Sequence, residues 1–300
     1  MSVTDNDLAY SSHIGRYQNY NFLSGDAETD EYLHHKAQHQ HTLCVIDGIA
    51  DILLEAVSTS GGMAIGTAQN YMAFGVARRS RMIWLALRQL YALIPPDRKE
   101  PLPHDDAFEA SRALNDIYIH SMGMIDNYAW SIRDEFGDTE LKSLQHLEIS
   151  LFRSPYRRNK SAKAFAQIAG EFADWHSQIK ELRNPVAHRI PLSVPPGVLV
   201  DEDQKIYQAL EKKEIEARTE LFQLKAQNAV QSDIDAKTVL CEHLQQQMEK
   251  LGKFVPMIVH DPRDGGTPIY PTVSDDVGKL VLLSRRLNSK ISERLKAGFD

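Results

Sequence analysis

Residues 107–136 read AFEASRALNDIYIHSMGMIDNYAWSIRDEF, and apolar side chains recur in this stretch at the intervals of a helix. The apolar positions are Leu114, Ile117, Ile125, Ile132 and Phe136. This spacing places them on one face of an α-helix, so we predict a long amphipathic helix that ends at Gly137. Because the rest of the chain repeats such patterns, the sequence predicts an all-α fold.

Four further helices are predicted by the same kind of pattern, over 28–57, 63–94, 139–152 and 160–182. The expected apolar positions of the first two are Leu43, Ile46, Ala50, Leu53, Val57, Met82, Leu85, Leu90 and Leu93. Prolines end two of these helices, because proline cannot continue the backbone hydrogen bonding. Pro95 follows the second helix, and a proline-rich break begins at Pro185 after the fourth.

The C-terminal third has a different character. Residues 198–255 contain no proline and one glycine, and charged and glutamine side chains dominate them. Apolar residues with helical spacing form two patches, made of Leu221 and Leu224 and of Cys241, Leu244, Met248 and Leu251. We predict a long helix or a helical hairpin here, in part a coiled coil. Residues 253–273 are typical of a small β-hairpin or an extended flap, and 274–296 of a last amphipathic helix.

These patterns suggest three parts. Residues 1–26 show no period and are expected to form an irregular N-terminal arm. Residues 27–197 are then a helical domain, and 198–300 a helical extension that includes the short β-hairpin.

The composition excludes several classes of protein. The 300 residues are 42% hydrophobic and 25% charged, which is typical of a globular chain. Two cysteines cannot form a disulfide scaffold or a cysteine-rich zinc module. The longest uncharged stretch, 56–77, contains too many polar residues and glycines to span a membrane, and the N-terminus has no signal-peptide pattern. We therefore expect a cytoplasmic protein without a membrane partner.

Charge is distributed unevenly along the chain. The net charge is −7, yet residues 151–190 hold eight basic and three acidic side chains and carry +5. RNA binding requires local positive potential rather than a basic average. The candidate RNA-binding residues in this segment are Arg153, Arg157, Arg158, Lys160, Lys180 and Arg189. A second basic cluster contains Arg78, Arg79, Arg81 and Arg88. The alternative is that both clusters are solvated helix faces.

Four histidines, His34, His35, His39 and His41, lie close together in the first long helix. His35 and His39 are four residues apart, so a helix would place both imidazoles on one face at a spacing that metals can use. No acidic residue completes a helical metal motif between them, and the alternative is a polar helix end with partly buried histidines. We predict no metal and no cofactor. Glycine-rich phosphate loops, dinucleotide fingerprints and Gly-x-Ser-x-Gly elbows do not occur.

The run Arg183-Asn184-Pro185-Val186-Ala187-His188 is the strongest chemical signal. Asn184 before Pro185 suits a helix cap followed by a first helical turn, which would bring His188 near Arg183. A guanidinium binds phosphate oxygens in bidentate fashion, and an imidazole transfers protons near neutral pH. Together they suit a phosphodiester substrate. The alternative is a helix cap with a hydrogen-bonded histidine and a surface arginine.

This run resembles the Arg-polar-x-x-x-His signature of the HEPN superfamily, helical domains of bacterial toxin and phage-defence systems and of some eukaryotic ribonucleases. The resemblance covers 28–190 in architecture and 183–188 in specific motif. It implies a HEPN-like helical bundle over 27–197. It also implies that Arg183 binds phosphate, Asn184 is the polar residue after it, and His188 transfers protons. Pro191 interrupts the helix that continues after the histidine in many relatives, which puts the local geometry of His188 in question.

The resemblance implies a metal-independent endoribonuclease acting on RNA. A homodimer would form one composite site, the ribose 2′-hydroxyl would attack, and a cyclic phosphate would result. An antitoxin or another protein is a further expected partner. Two alternatives remain open from the sequence. One is a catalytically inactive HEPN-like module that binds a ligand or dimerises, and the other is an interaction protein unrelated to this superfamily.

Overall fold

The computed structural model describes residues 3–19, 27–188, 190–260 and 265–297, with the backbone alone for 185–188. The α-helices of these residues are α1 Tyr10–Asn19, α2 Ala27–Gly61, α3 Gly66–Asn70, α4 Ala77–Leu93, α5 His104–Phe136, α6 Thr139–Lys142, α7 Ser154–Arg158, α8 Lys163–Gly170, α9 Ala173–His188, α10 Asp201–Ala226, α11 Gln231–Glu249 and α12 Thr272–Ala297. Short 3₁₀ helices cover Asp5–Leu8 and His146–Glu148, and a π-helix covers Tyr71–Val76 between α3 and α4. The strands are β1 Met257–Val259 and β2 Gly266–Pro268. The prediction of a helical fold with a small β-hairpin is confirmed.

The core is formed where α2, α4, α5 and α12 pack against one another. Helix α12 is the most enclosed of these, and its buried side chains include Val273, Val277, Leu280, Val281, Leu283, Leu287 and Ile291. Leu8, from the N-terminal 3₁₀ helix, belongs to the same core. One core therefore unites residues that the sequence assigned to the arm, to the helical domain and to the extension.

The N-terminal arm is not irregular where the structure describes it. Residues 3–19 contain the 3₁₀ helix and α1, and Leu8 and Ile14 are buried. Their weak periodicity arises because the arm packs only through a few side chains against α2 and α12. The remainder of the predicted arm, 20–26, lies outside the described residues.

In α2 and α4, some of the apolar residues predicted to face the core are exposed, and other apolar residues are buried. In α2, Val45, Ile49 and Ile52 are fully buried, whereas Leu43 and Val57 are 48% and 50% exposed. In α4, the predicted Leu90 is fully buried, but the predicted Met82 and Leu85 are 45% and 46% exposed, because Ile83 and Leu87 face the core instead. Both helices have more apolar residues than one face holds, so spacing alone did not select the buried set.

Other predicted elements were close to the observed ones. Helix α5 covers the predicted 107–136, with Leu114, Ile117, Ile125 and Ile132 fully buried. The predicted helix over 160–182 is two helices, α8 and α9, with a turn between them. The predicted short helix in 139–152 is α6 followed by a 3₁₀ turn. Asp138 caps α6, since its Oδ1 accepts a hydrogen bond from the Leu141 backbone N–H at 2.8 Å.

Of the alternatives predicted for the C-terminal third, the structure has the helical hairpin rather than one long helix, and the β-hairpin rather than an extended flap. Helices α10 and α11 pack together through a small cluster around Ala217, Cys241 and Leu244, and Asn228 turns the chain between them with φ 51°. Strands β1 and β2 are antiparallel, with Ile258 opposite Thr267. Within the described residues, none of the helices combines the length and apolar character needed to span a membrane.

A buried carboxylate joins three helices. Asp276 of α12 accepts hydrogen bonds from the Tyr118 hydroxyl of α5 at 2.9 Å and from the Trp175 indole Nε1–H of α9 at 3.1 Å. Burial raises the pKa of Asp276 to about 6, and the two donors oppose that rise. The pair of donors therefore fixes α5 and α9 relative to α12.

We expect the Tyr118→Phe substitution to lower the free energy of unfolding at pH 7 by about 1.5–3 kcal/mol, because it removes one of two donors to a buried, ionised carboxylate. Chemical denaturation followed by circular dichroism measures this loss. Tyr32→Phe is the matched control, since Tyr32 is 62% exposed and its change should stay within about 0.5 kcal/mol. Equal effects of the two substitutions would contradict the role given to Asp276.

Candidate functional site

The helix that carries the Arg-Asn-Pro-Val-Ala-His run is continuous. Helix α9 passes through Asn184 and Pro185 and ends at His188. The predicted cap at Asn184 is therefore wrong: Asn184 is an exposed residue inside the helix, 3.5 Å from Arg183 in an Oδ1–Nη1 contact. The φ angle of proline is compatible with a helix, and the position of Pro185 in the last turn leaves the backbone hydrogen bonds of the earlier turns intact. The side chain of His188 and all of Arg189 lie outside the described residues.

Arg183 acts electrostatically on Asp126 of helix α5. The side chain of Asp126 is accessible to solvent, yet the protein around it desolvates the carboxylate and raises its pKa above the ordinary value. The guanidinium groups of Arg183 and Arg79 both oppose this rise. Asp126 is thus the point at which charges from α4, α5 and α9 meet, although these residues are far apart in sequence.

Arg79 is held in place from two sides. Its Nη1 donates a hydrogen bond to Nδ1 of His120 at 3.2 Å. Its guanidinium lies over Gly123, where an added Cβ would come within 2.4 Å of Cζ. Only glycine leaves room for this arrangement. Gly75 has the same role opposite Asn127, since a Cβ there would lie 2.5 Å from Cγ of that side chain.

His120 is a neutral donor in this arrangement. Desolvation by burial and the nearby Arg79 lower its pKa, and Asp116 partly opposes the change. Because Nδ1 accepts from Arg79, the proton of the neutral ring resides on Nε2. The ring therefore has one N–H to offer to a ligand.

These residues line an open groove of about 550 Å³, which we call the Arg79 groove. Its lining residues are Thr67, Asn70, Tyr71, Phe74, Gly75, Arg78, Arg79, Met82, His120 and Asn127. The π-helix Tyr71–Val76 forms one wall and supplies Gly75. Extra residues of this kind in a helix occur frequently at functional sites, because they redirect side chains.

Aromatic rings flank the Arg79 groove. Phe74 is 56% exposed, and the guanidinium carbon of Arg78 lies 4.6 Å from its ring centre. Tyr71 stacks on Trp130 with ring centres 5.6 Å apart. Exposed rings next to guanidinium groups are the surfaces on which unpaired nucleic-acid bases stack.

Three of the predicted RNA-binding residues converge in a second groove. Arg153, Arg157 and Lys180 line a space of about 270 Å³ together with Phe152 and His176, which we call the His176 groove. The rings of Phe152 and His176 stack with centres 3.7 Å apart. Lys180 of this groove and Arg183 of the motif are three residues apart on α9, and Arg183 itself lines neither groove.

The remaining predicted residues do not line either groove. Arg158 and Lys160 are exposed at other places on the surface. The histidines of α2 diverge to different partners. His39 contacts the Tyr91 hydroxyl at 2.8 Å and the Asp97 carboxylate at 3.0 Å, whereas His41 is buried against the Leu8 carbonyl at 3.2 Å. Those contacts agree with the alternative reading of a polar helix end with partly buried histidines.

The Arg79–His120 pair was not found from the sequence. The two residues are 41 positions apart, and neither belongs to a recognisable motif. The available signals were the basic cluster around Arg79 and the two glycines at positions 75 and 123 inside long helical patterns. An isolated glycine within a helix indicates close approach of another group.

The chain matches no protein-family model, and searches of curated proteins and of solved structures found no similar protein.

We expect Arg79→Gln to raise the pKa of His120, because the substitution removes a nearby positive charge that disfavours the imidazolium. The rise should be partial, since burial remains the larger cause. Titration of the histidine ring resonances by NMR measures it. Arg78→Gln is the matched control: Arg78 stacks on Phe74, and its loss should leave the pKa of His120 nearly unchanged. An unchanged His120 titration in Arg79→Gln would contradict the described contact.

A second pH effect comes from His176. Burial, with help from Lys180, lowers its pKa from 6.5 to about 4. The unfolded chain therefore binds a proton that the folded one does not, and stability falls as the pH drops from 6.5 to about 4. We expect His176 to contribute about 1–2 kcal/mol to this loss, less than the full shift would give because the ring is partly exposed.

The substitution that tests this effect is His176→Phe, which keeps a ring against Phe152 but cannot ionise. Thermal unfolding between pH 7 and pH 4 should show a shallower loss of stability in this variant than in the wild type. His243→Phe is the control, since His243 is exposed on α11 and should leave the slope unchanged. Identical slopes for wild type and His176→Phe would refute the assignment.

Proposed function

We propose that this protein is a metal-independent endoribonuclease of the HEPN type, which cleaves RNA at the surface between α4, α5 and α9. The observation that carries the proposal is the groove in which Arg79 donates a hydrogen bond to the neutral His120, next to an exposed aromatic ring. Arg183 of the motif acts electrostatically on Asp126 of α5, the helix that also carries His120. An oriented guanidinium group is a binding group for the phosphates of a nucleic acid.

Phosphate binding is the first step. Arg79 is oriented by His120 and Gly123 before substrate arrives, so little conformational entropy is lost when it binds. Arg183 supplies a second fork-shaped cation from α9. The Nε2–H of His120 adds a neutral donor for a phosphoryl oxygen.

Base binding is the second step. Phe74 with Arg78 on top, and the stacked pair Tyr71 and Trp130, offer flat surfaces for unpaired bases. The His176 groove, with Arg153, Arg157 and Lys180, extends the positive surface along α9 for a continuing strand. Single-stranded RNA or a loop fits these features better than a duplex, whose bases are not free to stack on protein.

The chemical step is attack of the ribose 2′-hydroxyl on the adjacent phosphorus. The new bond joins the 2′-oxygen to phosphorus, and the bond from phosphorus to the 5′-oxygen breaks. The 2′-hydroxyl loses its proton and the leaving oxygen gains one, a task that we assign to His188. Arg183 and Arg79 stabilise the charge that develops on the phosphoryl oxygens. The products are a 2′,3′-cyclic phosphate and a 5′-hydroxyl, and no metal is required.

A homodimer is part of the proposal. Phe74, Met82 and Leu85 are 56%, 45% and 46% exposed, and their spacing places them along one line at the edge of the Arg79 groove. Large apolar side chains exposed in a row favour contact with another protein surface. A second copy placed here would bring a second Arg183 and His188 towards the first pair, as a composite site requires.

The test is cleavage of end-labelled single-stranded RNA in the presence of a chelator, with analysis of the product ends. His188→Ala should lower the rate by about 10²–10⁴, the usual contribution of a positioned proton-transfer group. Arg183→Lys and Arg79→Gln should each lower it as well, because a point charge or an amide cannot replace a bidentate guanidinium. DNA of the same sequence should remain uncut.

Arg88→Gln is the matched control for the arginine variants. Arg88 also belongs to α4, but it stacks on Trp84, 4.5 Å from the ring centre, and does not line the groove. Its rate should equal that of the wild type. If the wild-type protein binds RNA but does not cleave it, the ribonuclease proposal is wrong and the alternative of a catalytically inactive binding module is favoured. Cleavage by Arg79→Gln at the wild-type rate would remove the Arg79 groove from the mechanism.

A further inference from the structure

His13 has a buried ring nitrogen without a partner. The residue is 1% exposed, on α1. Its Nε2 lies 2.9 Å from the backbone carbonyl oxygen of Asp7, and because a carbonyl only accepts, Nε2 carries the proton. Nδ1 then has a free lone pair, and no hydrogen-bond partner for it exists among the residues that the structure describes. A buried lone pair left without a donor is costly, so something else is expected to occupy it.

Two further ligating groups surround this histidine. Asp7 and Cys44 each offer one ligand atom, and these atoms and a ring nitrogen of His13 all lie within 4.8 Å of one another. Cys44 comes from α2, whereas Asp7 and His13 come from the N-terminal 3₁₀ helix and α1. Segments distant in sequence thus bring together one sulfur, one nitrogen and one oxygen donor.

We propose that Asp7, His13 and Cys44 bind a zinc ion, with water as the fourth ligand. A thiolate combined with an imidazole and a carboxylate suits Zn²⁺ rather than Mg²⁺ or Ca²⁺, which prefer oxygen donors alone. Zinc bonds of about 2.0–2.3 Å require tetrahedral ligands to lie closer than 4.8 Å, so the side chains close by about 1 Å around the ion. Rotation of the partly exposed Asp7 and Cys44 side chains towards the buried His13 supplies such a movement.

The other contacts of Asp7 are compatible with this role. Its Oδ2 accepts hydrogen bonds from the Thr4 backbone N–H at 3.0 Å and from the Thr4 hydroxyl at 2.6 Å, which orient the carboxylate as outer contacts of ligands commonly do. Its Oδ1 faces Nη2 of Arg16 at 3.3 Å. The Arg16 side chain is 55% exposed and can turn towards solvent when a cation takes its place.

The zinc site would attach the N-terminal segment to α2. The segment otherwise packs through Leu8, Ile14 and a few polar contacts against α2 and α12. Asp7, His13 and Cys44 do not line the Arg79 groove, so the ion would stabilise the fold and take no part in RNA cleavage. The two proposals can therefore fail independently.

The test uses the full-length chain, stripped of metal under reducing conditions and titrated with Zn²⁺ against a chromophoric chelator. We expect one ion per chain and a rise of the melting temperature on addition of zinc. Titration with Co²⁺ should give the near-ultraviolet absorption of a thiolate-to-cobalt bond. Cys44→Ser should lose the tight binding, this absorption and the rise in melting temperature.

Cys241→Ser is the matched control, because Cys241 is the other cysteine of the chain and lies in the α10–α11 hairpin. It should bind zinc as the wild type does. His13→Gln should also lose binding, and a circular dichroism melt of the metal-free protein shows whether it remains folded. If the His13→Gln variant does not fold, the comparison of Cys44→Ser with Cys241→Ser still decides the proposal. Absence of stoichiometric binding by the wild type, or binding that survives Cys44→Ser, would overturn the proposal.

Discussion

The hydrogen bonds that Tyr118 and Trp175 donate to the buried carboxylate of Asp276 hold the helical core in its arrangement. They connect α12, at the centre of the core, with α5 and α9. Helix α5 carries Asp126 and His120, and α9 carries Arg183. The alignment of the candidate site therefore depends on a contact made on the inner side of the same helices. Polar groups buried in this way specify one packing among several that apolar contacts alone would allow.

Close backbone packing adds to this constraint. Gly278 of α12 lies against the carbonyl of Leu8, where an added Cβ would be 2.3 Å from the oxygen. Gly48 of α2 lies against the Leu8 side chain on the opposite side, with 2.9 Å to Cδ2. Glycine at both positions lets the N-terminal 3₁₀ helix enter between α2 and α12. The same close packing brings Asp7 and His13 next to Cys44. The proposed zinc site therefore depends on the two glycines that let the N-terminal 3₁₀ helix enter the core.

The positive charge of the candidate site comes from the positions of a few basic side chains, and not from the net charge of the chain. The chain is acidic overall, yet Arg79 of α4, Lys180 and Arg183 of α9, and Arg153 and Arg157 at α7 form local basic surfaces. Arg183 and Arg79 lower the pKa of Asp126 against the effect of desolvation, and burial together with Arg79 lowers the pKa of His120. Each group thus sets the protonation or orientation of its neighbour. Such coupling is typical of sites that bind phosphates, where charge must be concentrated before the ligand arrives.

The sequence by itself determined the local structure. Periodic apolar residues predicted α5, the α10–α11 hairpin and the last helix, since a helix is stabilised by contacts three and four residues apart that spacing reveals. The motif around Arg183 was also visible, because its residues are close in sequence. Spacing did not reveal which face of α2 and α4 is buried, since both helices have surplus apolar residues. Nor did it reveal that α9 continues through Pro185, because a proline in a last turn loses little. Only the tertiary structure brought Arg79 to His120, and Asp7 and His13 to Cys44. Those contacts join side chains from different helices, and their geometry follows from how the helices pack around α12, which no local pattern encodes.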